Sequence, residues 1–466
     1  MKKGAQLELT IEKFADRGKS LAKHDGYVIF VPGAVPGDRV KVRITRKKKS
    51  YAEARIVELL EPSSLRTEPR CAYFGACGGC KWQHVQYQAQ LDAKTQGVRE
   101  ALEHEGGFAD VTMRETIPAA DIYEYRNKME FSFSAERWLT SEEIASDERF
   151  NLTFALGLHA PGFFNKVIDL DECHLQSGLS ARIVNATREF ALESDWKPWH
   201  IRKHAGFLRH LVIRQAGNTS DLLVNLVTRS HVANRMEELA EFYKERFPEI
   251  TTLVNGVNSG VAQTAFGESI HTIYGPGYLT DRIGDLTFQI APNAFFQTNS
   301  KQAEKLYEVA REAGDLKPDD LLYDLYCGAG TISLFVAPSV RHVVGVELIE
   351  EAVVNARQNA KINKIENVTF KSGDMLKLLT PEFIEKHGKP DVMIVDPPRA
   401  GIHPKVVAQI AAVKPERLVY VSCNPRTQAR DMALLGDAYQ IEWAQPVDLF
   451  PHTHHVENVV RLTARG

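Results

Sequence analysis

The stretch LLYDLYCGAG (321–330) is an apolar run, broken only by Asp324, that ends in Gly328-Ala-Gly330, and TISLFVA follows it with helical character. Strand, glycine turn and helix in that order form the opening unit of a doubly wound parallel sheet. HVVGVELI, NVTFKSGDM, DVMIVDPPRAG and RLVYVSCNP repeat the theme as apolar strands ending in polar or small residues, with helical patterns between them. Residues 291–466 are therefore predicted to be an α/β, Rossmann-like domain, with its function at the carboxyl ends of the strands.

Upstream the texture differs. Segments LELTIEKF, DGYVIFVP, GDRVKVRITR and YAEARIVELL, parted by Gly, Pro and Asp turns, predict a small β-barrel of five strands over residues 1–60. Residues 61–290 mix alternating strands with helical stretches and read as a central α+β domain. Three units suit a chain of 466 residues. With 44% hydrophobic and 25% charged residues, the composition excludes a wholly disordered chain. No apolar run approaches the roughly 20 residues that cross a bilayer, and MKKGAQLELTIEKF lacks the apolar block of a secretory signal. The expectation is a cytoplasmic protein without a membrane partner, a monomer with no obligate protein partner.

Net charge is −3, but it is unevenly spread: residues 1–50 hold 13 Lys/Arg against 5 Asp/Glu, and the remainder 44 against 55. The basic excess peaks in KVRITRKKKS (41–50), which reads either as a phosphate-backbone contact or as a solubilising surface hairpin. Of six cysteines, Cys71, Cys77 and Cys80 crowd together, and Cys173 lies far downstream. In a large chain of this kind such clustering points to a metal or cluster, with zinc and iron–sulfur equally suited to the thiolates.

The glycine turn admits a dinucleotide, a nucleoside or no ligand. Glu347 closes the next strand and can accept two hydrogen bonds from a ribose diol. The third position of G-x-G-x-x-G is Ser333, and Asp324 would oppose a pyrophosphate but suits the cationic amino-acid end of S-adenosylmethionine. Methyl transfer is favoured over hydride transfer. Asp374 either bonds the adenine side of that pocket or caps the helix after it. Cys423, at the end of the strand RLVYVS, is either a buried structural thiol or a nucleophile. C5 of uracil is a poor nucleophile, but thiolate addition at C6 gives it carbanion character. A base must then remove the C5 proton, and Glu457 is the candidate, although an ordinary surface glutamate would look the same. His452, His454 and His455 are not spaced as a metal site.

At these residues the sequence resembles the S-adenosylmethionine-dependent RNA uracil-5-methyltransferases, specifically the 23S rRNA branch that carries an N-terminal TRAM domain and a [4Fe–4S] cluster. The matching motifs are FFQTN (295–299), DLYCGAG (324–330), VELI (346–349), DPPRAG (396–401), SCNP (422–425) and HHVENVVRL (454–462). The resemblance implies that Gln297, Tyr326, Glu347 and Asp396 line the methyl-donor pocket beside Asp324, Gly328, Gly330 and Asp374. It places Phe295 near the target base, Arg399 as a substrate or loop contact, Cys423 as nucleophile and Glu457 as base. Cys71, Cys77, Cys80 and Cys173 would hold the cluster, as a structural element. The basic barrel becomes an RNA-holding module, its surface extended by Arg126, Lys128, Arg209 and Arg214. A loop uridine is the expected target, since it must leave its stack. A tRNA uridine is the alternative substrate. RNA cytosine-5 methylation would want a second, Pro-Cys motif where this chain has DPPR. A non-catalytic RNA-binding or assembly factor retaining the fold is the alternative of another class.

Overall fold

Alternation decides the N-terminal unit. In the strand Arg39–Lys47, Val40, Val42 and Ile44 are buried while Lys41, Arg43 and the following polar residues face outward, the period of a sheet with one wet face. In the computed structural model, which describes residues 2–466, six strands rather than the expected five form this sheet. The sixth is the short Lys13–Phe14, paired at one edge with Lys19–His24, and its two residues are too few for a periodic signal. Leu9, Ile29, Val31 and Ala52 complete the core.

The central unit is an eight-stranded mixed sheet covered by the helices Gly178–Glu193 and Ala233–Arg246. Its strands Leu208–Gln215 and Leu222–Thr228 are buried almost throughout. Helix residues Ile183, Val184, Leu239 and Tyr243 fill the core against them.

The C-terminal sheet runs in the order Val368–Ser372, His342–Glu347, Leu321–Leu325, Val392–Val395, Arg417–Ser422, Glu457–Ala464, Tyr439–Val447, Thr112–Met113. The first five are parallel, and Glu457–Ala464 is antiparallel to both of its neighbours. The doubly wound prediction matches this order.

The boundary at 290 does not describe how the layers divide. The helix Tyr87–Gly106 buries Val98 and Leu102 in the core beneath the C-terminal sheet, and Thr112–Met113 joins that sheet's edge beside Tyr439–Val447. The hairpin Leu279–Ile283 with Leu286–Ile290 also packs its Ile283, Phe288 and Ile290 into the same domain. The catalytic layer thus takes residues from before the central sheet as well as after it. A polar helical stretch near 84–104 is legible in the sequence, but its place beneath the C-terminal sheet is not, because its buried face carries Gln90 and Lys94 among the apolar residues. Among the described residues, no helix is long and apolar enough to cross a membrane.

Candidate active site

The strands Leu321–Leu325 and Val392–Val395 lie side by side, but the chain leaves them in opposite directions, toward His342–Glu347 and toward Arg417–Ser422. At such a reversal the loops at the carboxyl ends part and leave a crevice. Tyr326–Gly330 forms one lip and Asp396–Gly401 the other. The first lip needs left-handed backbone at Tyr326 (φ 67°), Gly328 (φ 55°) and Gly330 (φ 78°). At Gly330 a Cβ would stand 2.9 Å from the Phe370 ring, whereas at Gly328 it would meet nothing within 4 Å, leaving room for a ligand to approach the backbone.

Glu347 braces this turn. Its two carboxylate oxygens accept from the Gly328 N–H at 3.1 Å and the Ile349 N–H at 2.9 Å. Further lone pairs remain for a diol. Asp324 lies beneath the turn, fully buried, with Oδ2 accepting from the Ser333 hydroxyl while Oδ1 has no partner. Burial, aided by the charge of Glu347, pushes its carboxyl up to about 7. A buried acceptor without a donor is costly, and a cationic ligand would relieve it. The donor set therefore fits S-adenosylmethionine. Asp374 is exposed and accepts from the Leu376 N–H at 3.0 Å as the N-cap of Met375–Leu378, so its capping role is the one observed.

Gln297 is buried in the loop that follows Leu286–Ile290, and Phe295 in the same loop is 73% exposed. Two central-domain side chains fix this loop, and sequence reading missed what they do there. Asn127 donates from Nδ2 to the Gln297 carbonyl at 2.8 Å, and Arg214 donates to the carbonyls of Pro292 and Ala294. Arg214 is 2% exposed and Arg209 0%, so the expectation that they extend an RNA-facing surface is wrong. Arg209 donates to the carbonyls of Asn258, Gly260 and Ala262, holding that loop as Arg214 holds the catalytic one. Arg126 and Lys128 are half-buried, and Lys128 pairs with Glu130.

On the other lip, the register Ser422↔Asn458 sets Cys423 and Glu457 one position beyond the last paired residues of adjacent antiparallel strands. Burial pushes the Cys423 thiol up to about 11; Glu457 and Asp396 add to the rise, while Arg399 opposes it by charge and hydrogen bond. Burial, then the neighbouring Asp396, holds the Glu457 carboxyl well above the usual range, and Asp396 itself is raised to about 7 by burial and by Asp324. Two carboxyl groups and a thiol thus face one another with Arg399 as the nearby cation. Cys423 opens on a cleft of about 770 Å³ between the N-terminal sheet and the C-terminal domain, lined also by Phe14, Arg17, Arg399 and His455. These groups can form a bond to an electrophilic ring carbon and exchange a proton next to it.

Cys71, Cys77, Cys80 and Cys173 line one small cavity, so the fold brings together what the sequence separates. All four are free thiols, raised by burial. Among the described residues no group of three or more His, Cys, Asp or Glu side chains is gathered to hold a metal ion.

The comparisons with known proteins agree with this geometry. A family model described as tRNA (Uracil-5-)-methyltransferase matches residues 278–465, and the TRAM domain matches residues 1–57. A protein from Bacteroides thetaiotaomicron named as an uncharacterised RNA methyltransferase is 44% identical over 97% of this chain and 100% of its own length. One from Chlorobaculum tepidum, named likewise, is 44% identical over 98% of this chain and 96% of its own. The crystal structure of the Pyrococcus abyssi tRNA (uracil-54, C5)-methyltransferase with S-adenosyl-L-homocysteine superposes with a TM-score of 0.76 at 30% identity, covering 98% of this chain and 99% of that one. With a crevice suited to a cationic methyl donor and relatives alike over nearly its whole length, the chain belongs to the RNA uracil-5-methyltransferase family and is an S-adenosylmethionine-dependent methyltransferase acting on RNA.

Proposed function

We propose that the protein methylates C5 of a loop uridine in 23S rRNA, with Cys423 as nucleophile and Glu457 as base. The observation that carries the chemistry is the pairing of adjacent strand ends that sets Cys423 opposite Glu457, with Asp396 and Arg399 beside them. S-adenosylmethionine, held by Asp324, Glu347 and the backbone around Gly328, supplies an electrophilic methyl group. The Cys423 thiol gives its proton to solvent in the open cleft, and its sulfur bonds to C6 of uracil while the C5–C6 π electrons shift toward C5 and O4. Carbon C5 then takes the methyl, and the S–CH3 bond of the sulfonium would break to leave the neutral thioether. Glu457, ionised, removes the C5 proton; the C5–C6 double bond returns and the bond from sulfur to C6 breaks. Arg399 offsets the negative charge that passes over sulfur.

The choice of 23S rRNA rests on the combination of a TRAM-type sheet with the four cysteines. The tRNA reading draws support from the Pyrococcus structure, a tRNA enzyme alike over its full length. Mapping 5-methyluridine in rRNA and tRNA from cells with and without the gene separates the two. Loss at a discrete 23S rRNA loop, restored by wild type and not by Cys423→Ala, supports the proposal; loss confined to tRNA replaces the substrate and keeps the chemistry; no loss in either pool overturns it.

We also infer that Cys71, Cys77, Cys80 and Cys173 hold a structural iron–sulfur cluster. The support is their common cavity and the preference of soft thiolates for such a cluster. Iron and sulfide analysis of anaerobically purified protein tests this. Zinc, or no metal, in place of iron overturns it.

A further inference from the structure

Arg399 is tied at both ends. Its carbonyl accepts from Asn424 Nδ2 at 2.9 Å and from the Thr427 hydroxyl at 3.3 Å, which fastens the DPPRAG loop to the helix that begins directly after Cys423. Its guanidinium Nη2 donates to His455 Nδ1 at 2.5 Å. An arginine always donates, so Nδ1 must be the bare nitrogen and the ring proton sits on Nε2. The imidazole is itself held, two residues before Glu457. Its backbone N–H donates to Thr453 Oγ1 at 3.2 Å, that hydroxyl donates to the Phe450 carbonyl at 2.8 Å, and the Phe450 ring stands edge-on to it with centroids 6.3 Å apart.

We propose that His455 is a positioning residue: as a neutral acceptor it aims the Arg399 guanidinium at Cys423, so that thiolate formation at Cys423 depends on this histidine. The proposal rests on the reading of Cys423 as nucleophile. Glu457 and Asp396 face the same sulfur and disfavour its ionisation, and Arg399 is the cation that opposes them. Left free, a long guanidinium would spend much of its time in the adjoining cleft, and the hydrogen bond to His455 removes that freedom. A protonated imidazole would have no lone pair to offer and would repel Arg399. Burial first, then the charges of His454, Arg399, Lys94 and Arg126, hold the ring down to about 3, so it stays an acceptor throughout the neutral range.

The test is the alkylation of Cys423 by iodoacetamide in the full-length protein as a function of pH, followed by mass spectrometry of the Cys423 peptide. His455→Leu is expected to slow alkylation about 10-fold at pH 8 and to raise its midpoint by about one pH unit, which is the same change expressed twice. His455→Asn, whose Oδ1 takes the place of Nδ1, is expected to stay within about two-fold of wild type. In methylation assays kcat falls with His455→Leu while the KM for RNA holds. An unmoved midpoint in His455→Leu, or a His455→Asn protein that behaves like His455→Leu, overturns the proposal. Should His455→Leu fail to fold, Arg399→Met with His455→Asn makes the same comparison. A wild type that methylates no RNA would sink the proposed function, yet would leave the alkylation result to judge this pairing alone.

Discussion

The two lips of the crevice are made from different stretches of chain. The methyl-donor lip is local: Asp324, the glycine turn and Glu347 all fall within residues 324–347, and each is held mainly by neighbours in that span. The nucleophile lip is not. Cys423, Arg399 and Glu457 come from three strand ends, and the loop leading to Glu457 is held by the distant helix Tyr87–Gly106. There Lys94 makes a fully buried ion pair with Asp448 at 2.5 Å, and Tyr87 donates to the same carboxylate at 3.0 Å. Gln90 accepts from the His452 N–H at 2.8 Å, and the N–H groups of Lys81 and Trp82 donate to the His452 carbonyl. The turn at the centre of the donor pocket is thus built by one short segment, whereas the setting of Cys423 and Glu457 depends on the assembled molecule.

The strongest way to break that contrast is to separate the two lips by substitution. Cys423→Ala is expected to lower methylation by at least about 10³-fold while S-adenosylmethionine binding, read by calorimetry, stays at the wild-type value. Glu457→Gln should instead accumulate a covalent protein–RNA species, visible as a retarded band on a denaturing gel. If Cys423→Ala weakened donor binding as much as turnover, the lips would not be separable. The converse change, Asp324→Ala, is expected to weaken donor affinity about 10- to 100-fold, equivalent to about 1.4–2.8 kcal/mol, with RNA affinity unchanged.

Asp396 sharpens the comparison because it belongs to both lips. A carboxyl that stays protonated in the fold up to about 7, but ionises near 4 once unfolded, binds more protons folded than unfolded. Its contribution to stability is fully present below about pH 4 and is lost as the pH rises through about 7. Asp396→Asn should therefore melt a few degrees above wild type at pH 8, with the gap closing toward pH 4, while methylation is lost. A gap that does not depend on pH would contradict the assignment. The smallest effects are expected at the RNA surface. Lys48→Ala and Lys49→Ala should each weaken RNA binding a few-fold and lower the salt dependence by about one unit of slope. Arg209→Met and Arg214→Met should lower the melting temperature and leave that slope alone, because these cations face carbonyl groups rather than solvent.

How much of this was legible follows from the same contrast. Strand periodicity and the turn glycines revealed the donor lip, and the strand-end positions of Cys423 and Glu457 were readable because each closes or opens an apolar run. The buried cations were not. An arginine in an alternating strand such as LRHLVIRQ reads as the outward-facing residue, and only the loops packed on that sheet make its face an interior. The helix Tyr87–Gly106 was legible as a polar helical stretch, but its burial in the C-terminal layer was not, for a related reason. Leu91, Val98 and Leu102 recur at helical spacing, but Lys94 and Gln90 on the same face mask the stripe, being buried for partners some 350 residues away. Those partners have no signature in the local sequence.

The strand Glu457–Ala464 lies inside the sheet, between Arg417–Ser422 and Tyr439–Val447, and Glu457 is its first residue. A chain still being synthesised holds every residue of its donor pocket once Gly401 has emerged, but it holds neither the proposed base nor a closed sheet until this strand inserts. Until then two strands present open edges, ready to pair with the wrong neighbour. In the proposed reaction, a product interrupted before Glu457 would combine a methyl-donor site with no base to finish a methylation.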